Sequence, residues 1–158
     1  MAQLISRLTD EFSESDWIET IWQLPVQRIF WIYAVPNENA RGGHRHHSCH
    51  MVLHCVSGTV TVYVQTPTAD QQFTLDSANQ YLFVGPDDWR LMQQFSDDAM
   101  LVVFASKPFE TTIYYEQPYR PIPVGDQPRI TPDEPPQLRG IPPVGREPEQ
   151  GQRREGVQ

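Results

Sequence analysis

The stretch of sequence that decides the fold reads Arg41-Gly-Gly-His44-Arg-His46-His47-Ser-Cys-His-Met51-Val-Leu-His-Cys-Val-Ser57-Gly58. All five histidines of the chain fall within it. Because side chains two positions apart in a β-strand point to the same face, His44 and His46 are predicted to project together into a barrel interior while Arg45 points away. Such a pair suits either metal ligation or acid/base chemistry, since histidine titrates near neutral pH.

The sequence on either side is typical of short strands separated by turns. Residues 28–35 are dense in aromatic and β-branched side chains, and residues 36–43 indicate a turn. Residues 59–65 alternate so strictly that three valines are predicted to share a buried face. These are Val60, Val62 and Val64. Further strands are predicted at Met51–Val56, Gln72–Leu75, Tyr81–Val84, Met92–Phe95 and Met100–Ala105. Many short, evenly spaced strands predict an all-β sandwich or barrel.

The ends of the chain differ from this middle. Residues 1–24 show no clean period, although leucines and a phenylalanine at spacing four are compatible with a short helix. Ten of the 15 prolines fall after residue 116, where apolar surface is too sparse to offset the entropy of ordering. We therefore expect one domain over residues 1–116 and a disordered tail over residues 117–158. Arg120-Pro-Ile-Pro-Val-Gly125 is echoed by Arg139-Gly-Ile-Pro-Pro-Val-Gly145, either through biased composition or as a polyproline docking motif for a protein partner.

Composition narrows the classes of function. A net charge of −8 argues against nonspecific binding to nucleic acid, although locally clustered arginines would still bind a small anion. No segment approaches a membrane span or a secretory signal, so we expect no membrane partner and a cytoplasmic location. In that compartment Cys49 and Cys55 are expected to be buried thiols.

The spacing of the histidine stretch matches the first cupin motif, HxH(x)4E(x)6G, except that Met51 stands at the glutamate. In the second cupin motif a histidine follows a proline by five residues, and here Leu91 follows Pro86. Two of four expected metal ligands are therefore replaced, and catalytic metal sites usually need three protein ligands. We expect no metal and no cofactor, with a metal-dependent cupin that recruits His50 or His54 as the alternative.

Over residues 24–115 the chain resembles the nucleotide-linked 4-keto-6-deoxyhexose 3,4-ketoisomerases of the cupin superfamily. The matching residues are Leu24-Pro25, Arg28-Ile-Phe-Trp-Ile-Tyr33, Arg41-Gly-Gly-His44-Arg-His46-His47, Ser57-Gly58, Gly85-Pro86, Trp89-Arg-Leu-Met92 and Phe95-Ser96. The resemblance implies a cupin, or jelly-roll, β-barrel, a thymidine-diphosphate-linked sugar as substrate, and metal-free catalysis.

The resemblance also implies site residues. His44 and His46 correspond to the catalytic pair, which would move the carbonyl from C4 to C3 through an enediol. Arg41 is expected to neutralise the diphosphate or the enediolate, and Trp89 to stack on the sugar or base, against the alternatives of a turn arginine and a core tryptophan. Tyr33 and Arg90 are weaker candidates for substrate contacts.

Two further expectations concern assembly and activity. Family members pair through their N-terminal strands, so the resemblance implies a homodimer. A non-catalytic cupin that binds a sugar nucleotide and presents its tail to a partner is the main alternative to an isomerase.

Overall fold

The computed structural model describes residues 1–6, 14–76, 80–109, 113–123 and 129–130. Within them one helix, α1 (Glu14–Trp22), accompanies short strands. The strands are β1 (Gln3–Ser6), β2 (Arg28–Tyr33), β3 (Asn39–His46), β4 (Met51–Ser57), β5 (Val60–Gln65), β6 (Asp70–Leu75), β7 (Gln80–Val84), β8 (Trp89–Gln93), β9 (Met100–Ala105), β10 (Tyr114–Tyr115) and β11 (Arg129–Ile130). The described part contains no helix long and apolar enough to cross a membrane.

The strands form two sheets, which confirms the predicted all-β barrel of the cupin type. One sheet has the order β1-β7-β4-β9-β2, and the other has the order β10-β3-β8-β5-β6 with β11 beside β3. All of these pairings are antiparallel except the short one between β11 and β3. The histidine stretch therefore begins in one sheet and crosses into the other between β3 and β4.

The inward faces of the two sheets form the main core. Val60, Val62 and Val64 belong to it, as their alternation predicts, together with inward residues of β4, β7 and β9. Cys49 and Cys55 are free and buried in the same core, which confirms that expectation. A continuous apolar interior of this kind fixes the register of each strand, because a slip by one residue would expose every buried side chain.

Helix α1 covers the outer face of the first sheet, which we call the helix-covered sheet. Trp17 contacts the ring of Tyr81 at a centroid distance of 4.7 Å, and Trp22 contacts Phe83 at 4.0 Å. The N-terminal segment that the sequence left open thus contains strand β1 and this helix, while residues 7–13 lie outside the described part. The helix does not reach the outer face of the edge strand β2, where Trp31 is 50% exposed.

Residues 113–123, which we call the C-terminal strap, cover the outer face of the second, strap-covered sheet. Tyr119 and Ile122 pack there against an apolar cluster formed by Ala40, Tyr63, Trp89 and Leu91. The sequence placed residues 117–123 at the start of a disordered tail, but Tyr119 and Ile122 of this stretch pack against that cluster. The first proline-rich echo begins in this strap, whereas the second lies outside the described residues.

Candidate active site

A β-bulge in β3 sets the direction in which the histidine pair faces. Gly42 lies opposite Leu91 of β8, yet His44 lies opposite the adjacent Arg90, so Gly43 is the extra residue of the bulge. Gly42 has a positive φ of 87°, and a Cβ there would approach the carbonyl oxygen of Arg90 to 2.8 Å. The glycine pair therefore permits the bulge, and the bulge turns both histidines toward the interior. The sequence expected a turn up to residue 43, but β3 already begins at Asn39.

His44 and His46 lie side by side inside the barrel around a buried guanidinium. Their Nε2 atoms are 3.3 Å apart, and the two residues are 8% and 2% exposed. Nη2 of Arg90 lies 3.1 Å from Nε2 of His44 and 3.0 Å from Nε2 of His46. The sulfur of Met51, which replaces the motif glutamate, lies 3.1 Å from the same nitrogen. The four side chains form one compact cluster.

The hydrogen-bond partners define where each imidazole carries its proton. Nδ1 of His44 donates to the carbonyl oxygen of Gly42 at 3.0 Å, and a backbone hydrogen bond to Cys49 favours the protonated form of His46. A guanidinium only donates, so the Nε2 atoms that face Arg90 act as acceptors. We infer that both rings hold their hydrogen on Nδ1 and turn their Nε2 lone pairs toward Arg90.

Burial and positive charge keep both rings neutral. Desolvation is the largest cause that lowers the pKa of His44 to about 3, and the charge of Arg90 is the second. The same two causes, in the same order, place the pKa of His46 far below its usual range. Two neutral rings with converging lone pairs are able to accept a proton. A negative charge nearby would raise the pKa of both rings and make them stronger bases.

Acidification is expected to destabilise the fold through this pair. In the unfolded chain a histidine has a pKa of about 6.5, so between that pH and the lower folded pKa only the unfolded chain binds the proton. The free energy of unfolding therefore decreases as the pH is lowered, by about 2 kcal/mol for each ring between pH 7 and pH 5. Urea unfolding at the two pH values measures this loss. A His44→Asn His46→Asn variant with the same pH dependence as the native protein would contradict it.

Arg41 shares the inward face with the pair. It lies opposite Met92, whose side chain belongs to the core between the sheets, and it is half-buried. Arg45 points away, as predicted, and its guanidinium lies over the rings of Tyr115 and Tyr119 on the outer face.

The structure does not bring Trp89 or Tyr33 to the pair. Trp89 alternates with Arg90 along β8, so it faces outward, where Nε1 donates to the carbonyl oxygen of Glu116 in the C-terminal strap at 2.8 Å. Tyr33 is 60% exposed on the outer face of β2. Trp89 is therefore the core tryptophan of the alternative interpretation, beneath the strap.

Two residues near the pair were not singled out from the sequence. Arg28 of β2 acts on His46 through its charge, which places a further guanidinium near the site. Tyr114 of β10 lies opposite His46, and its ring contacts both imidazoles. The sequence holds no local signal for Tyr114, because its strand is two residues long and its partner is distant along the chain.

The neighbouring histidines do not join the pair. His54 stacks on Tyr81 at 4.2 Å and bonds the carbonyl oxygen of Gln80, beneath α1. His50 contacts the ring of Trp22. Among the described residues no group of three or more His, Cys, Asp or Glu side chains is arranged to hold a metal ion. The alternative in which His50 or His54 completes a metal site therefore finds no support in this geometry.

Residues 5–120 match the protein family described as FdtA: WxcM-like, C-terminal. A TDP-4-oxo-6-deoxy-alpha-D-glucose-3,4-oxoisomerase from Aneurinibacillus thermoaerophilus is 35% identical over 92 residues. The aligned part covers 58% of this chain and 66% of that enzyme, just under two thirds of its length. The resemblance drawn from the histidine stretch is thereby confirmed.

Solved structures give the same result. QdtA, a sugar 3,4-ketoisomerase from Thermoanaerobacterium thermosaccharolyticum in complex with TDP, superposes with a TM-score of 0.64 at 27% identity, covering 73% of this chain and 88% of QdtA. A histidine-to-asparagine mutant of that enzyme, in complex with TDP-4-keto-6-deoxyglucose, gives 0.64 at 25% identity, covering 73% and 87%. WlaRB, a TDP-quinovose 3,4-ketoisomerase from Campylobacter jejuni, gives 0.57 at 26% identity, covering 60% and 72%.

Proposed function

Because the chain belongs to the FdtA family of WxcM-like C-terminal domains, we propose that it is a sugar-nucleotide 3,4-ketoisomerase acting on a TDP-4-keto-6-deoxyhexose. The observation that carries the proposal is the pair of buried Nε2 atoms 3.3 Å apart, both within 3.1 Å of one guanidinium nitrogen. The relatives named above supply the substrate class.

The proposed reaction moves a carbonyl by one carbon without net oxidation. A base removes the proton from C3, next to the C4 ketone, and the electrons of that bond form the C3–C4 double bond of an enediolate. The hydroxyl proton of O3 passes to O4, and a proton returns to C4, which leaves a ketone at C3. Atoms and electrons balance within the sugar, so acid/base groups suffice for this chemistry.

The paired imidazoles fit the two kinds of proton transfer. With the substrate bound, Arg90 would donate to the sugar oxygens instead of to the rings, which frees one Nε2 lone pair to accept the carbon-bound proton. The other ring would then carry the proton between the adjacent sugar oxygens. Because both rings are held by backbone hydrogen bonds of their own, their Nε2 atoms keep a fixed direction. Such fixed geometry is what makes a transfer between neighbouring atoms efficient.

Arg90 fits the role of electrostatic stabiliser of the enediolate. Its guanidinium is a donor fixed beside both bases inside the barrel. A preorganised buried cation of this kind acts most strongly on charge that develops in the transition state. The enediolate also offsets the effect of Arg90 on the rings, because its negative charge favours the imidazolium that forms next to it.

Two further arginines fit the diphosphate. Arg41 lies on the inward face of β3, and Arg28 of β2 acts through its charge on His46. Guanidinium groups bind phosphate oxygens through charge-assisted, often bidentate hydrogen bonds. In this proposal, inward-facing arginines would let a chain of net charge −8 still attract an anionic substrate.

Deuterium exchange tests the proposed function. The native protein and a His44→Asn His46→Asn variant are incubated with TDP-4-keto-6-deoxyglucose in deuterated water, and proton NMR follows C3 and C4. Deuterium at these carbons, with a 3-keto product, is expected only with the native protein. Substrate that binds, as seen by saturation transfer, but exchanges no faster than in buffer would instead support the non-catalytic binding protein.

A homodimer is the second part of the proposal. The outer face of the edge strand β2 exposes Ile29, Trp31 and Tyr33 next to Met100 of β9, an apolar stripe that a second copy would cover. Light scattering is expected to give twice the chain mass of 18.2 kDa. Trp31→Glu should give the monomer mass, whereas Ile21→Glu, at an exposed apolar site on α1, should not. A native monomer, or a dimeric Trp31→Glu variant, would contradict this interface.

A further inference from the structure

The C-terminal strap is fastened on the outer face of the barrel by aromatic and backbone contacts. Nε1 of Trp89 donates to Glu116, and the hydroxyl of Tyr119 donates to the carbonyl oxygen of Asp87 at 2.9 Å. The guanidinium of Arg45 lies 4.6 Å from the ring centroid of Tyr115 and 4.9 Å from that of Tyr119. A cation between two rings, with two backbone anchors, fixes this part of the strap on β3 and β8.

Arg120 fastens the far end of the strap. Its backbone exchanges two hydrogen bonds of 3.2 Å with the side-chain amide of Gln65, which is fully buried. Its guanidinium pairs with the carboxylate of Asp70 and donates to the carbonyl oxygens of Thr66 and Ala69 at 2.9 Å. Several charge-assisted hydrogen bonds thus converge on a single side chain.

Near the start of the strap, the side chain of Tyr114 contacts the histidine pair. Tyr114 lies opposite His46 in the β10–β3 register, so its side chain shares the inward face. Its ring centroid is 4.5 Å from that of His44 at 82° and 5.0 Å from that of His46 at 62°. Tyr115 lies opposite Arg45 and faces outward.

The contacts of Tyr114 have two physical consequences for the imidazoles. Edge-to-face ring pairs are stabilising beyond the burial of their surface, so the phenol ring resists rotation of both imidazoles. Tyr114 itself is 36% exposed whereas the imidazoles beneath it are nearly buried. The phenol ring therefore stands between the pair and bulk water.

We propose that Tyr114 is a positioning residue of the site, whose ring orients His44 and His46 and shields them from water while the C-terminal strap holds it in place. The significance of the residue for turnover rests on the proposed function, but its effect on the imidazoles does not. Arg90 of β8 acts on both rings through its charge, and Arg28 of β2 acts on His46. The neutral Met51 of β4 contacts Arg90 beside them, and the ring of Tyr114 contacts both imidazoles.

The test compares full-length Tyr114→Leu, Tyr114→Phe and Tyr115→Leu by nitrogen NMR of the histidine rings between pH 8 and pH 4. In Tyr114→Leu the pKa of His44 is expected to rise toward its ordinary value, because water that replaces the phenol ring reduces the desolvation of the imidazole. Its ring nitrogen shifts should therefore begin to move within this pH range, whereas those of the native protein should stay constant. With TDP-4-keto-6-deoxyglucose this variant should lose about 10- to 100-fold in kcat, with KM within about threefold. Tyr114→Phe should match the native titration. Tyr115→Leu should match it too, because Trp89, Tyr119 and Arg120 still fasten the strap. Circular dichroism and urea midpoints establish that each variant is folded.

Two results would overturn the proposal. Unchanged ring titration in folded Tyr114→Leu would show that the phenol ring does not shield the pair. A loss of kcat in Tyr114→Phe as large as in Tyr114→Leu would assign the role to the hydroxyl, which would make Tyr114 a catalytic residue. If the native protein turned over no substrate but Tyr114→Leu still shifted the titration, the positioning role would stand and the proposed function would fail.

Discussion

Asparagine in place of either His44 or His46 is expected to lower the rate of 3,4-ketoisomerisation by about 10²–10⁴-fold, the range of general acid/base catalysis. Asparagine keeps a hydrogen-bonding side chain of similar reach but cannot take up a proton. Because the two rings are proposed to serve different transfers, each single variant should approach the loss of the double variant. Initial rates from proton NMR of TDP-4-keto-6-deoxyglucose measure the effect.

The matched control is His47→Asn. His47 follows the pair directly, but its ring is exposed and contacts the hydroxyl of Tyr115 on the outer face. Its rate should stay within about twofold of native, since loss of one exposed hydrogen bond perturbs the fold little. A His46→Asn variant that kept native turnover would remove the imidazole pair from the mechanism, even if the protein proved to be an isomerase.

The parts of the fold that the sequence predicted are those governed by local alternation. The strict period of β5 and the apolar density of β2 and β9 depend only on which residues neighbour one another. The inward pair with Arg45 pointing outward follows from the same rule. The predictions of β3 and β8 were less exact, because their charged and glycine residues give no apolar period.

The sequence did not predict which side chains of β8 face the barrel interior. Trp89 and Arg90 are adjacent, so one must face the interior and the other the outer face. Burial statistics favour the tryptophan inside, since arginine is seldom fully buried. The structure has the opposite arrangement, because the C-terminal strap provides Trp89 with an apolar cover and a backbone acceptor on the outside. Only the fold of a distant segment decides this.

The C-terminal strap was difficult to predict for a related reason. Its proline content and few apolar side chains suggest disorder when the segment is considered alone. Tyr119 and Ile122 nevertheless cover the outer cluster, and Arg120 meets Asp70 and Gln65 on the far side. Asp70 and Gln65 lie 50 and 55 residues from Arg120 along the chain. Local composition therefore says nothing of them.

Replacement of Arg90 by methionine is the second change with a large expected effect. It should strengthen the histidines as bases but remove the stabilisation of the enediolate, so its two effects on the rate oppose each other. Without the cation the pKa of His44 should rise above about 3, which strengthens it as a base. The enediolate, however, loses its buried donor, a loss that in other enzymes costs about 10²–10³-fold in rate. We expect the second effect to dominate at pH 7, where the rings are neutral in either case.

Nitrogen NMR titration and kcat, measured on the same Arg90→Met sample, separate the two effects. A raised pKa together with a rate about 10²–10³-fold lower supports the role of Arg90 as stabiliser of the intermediate. Arg90→Lys should lie between this variant and the native protein, since an ammonium keeps the charge but not the planar fork that reaches both Nε2 atoms. A raised pKa with an unchanged or faster rate would contradict that role, because the guanidinium would then serve only to hold the two bases neutral.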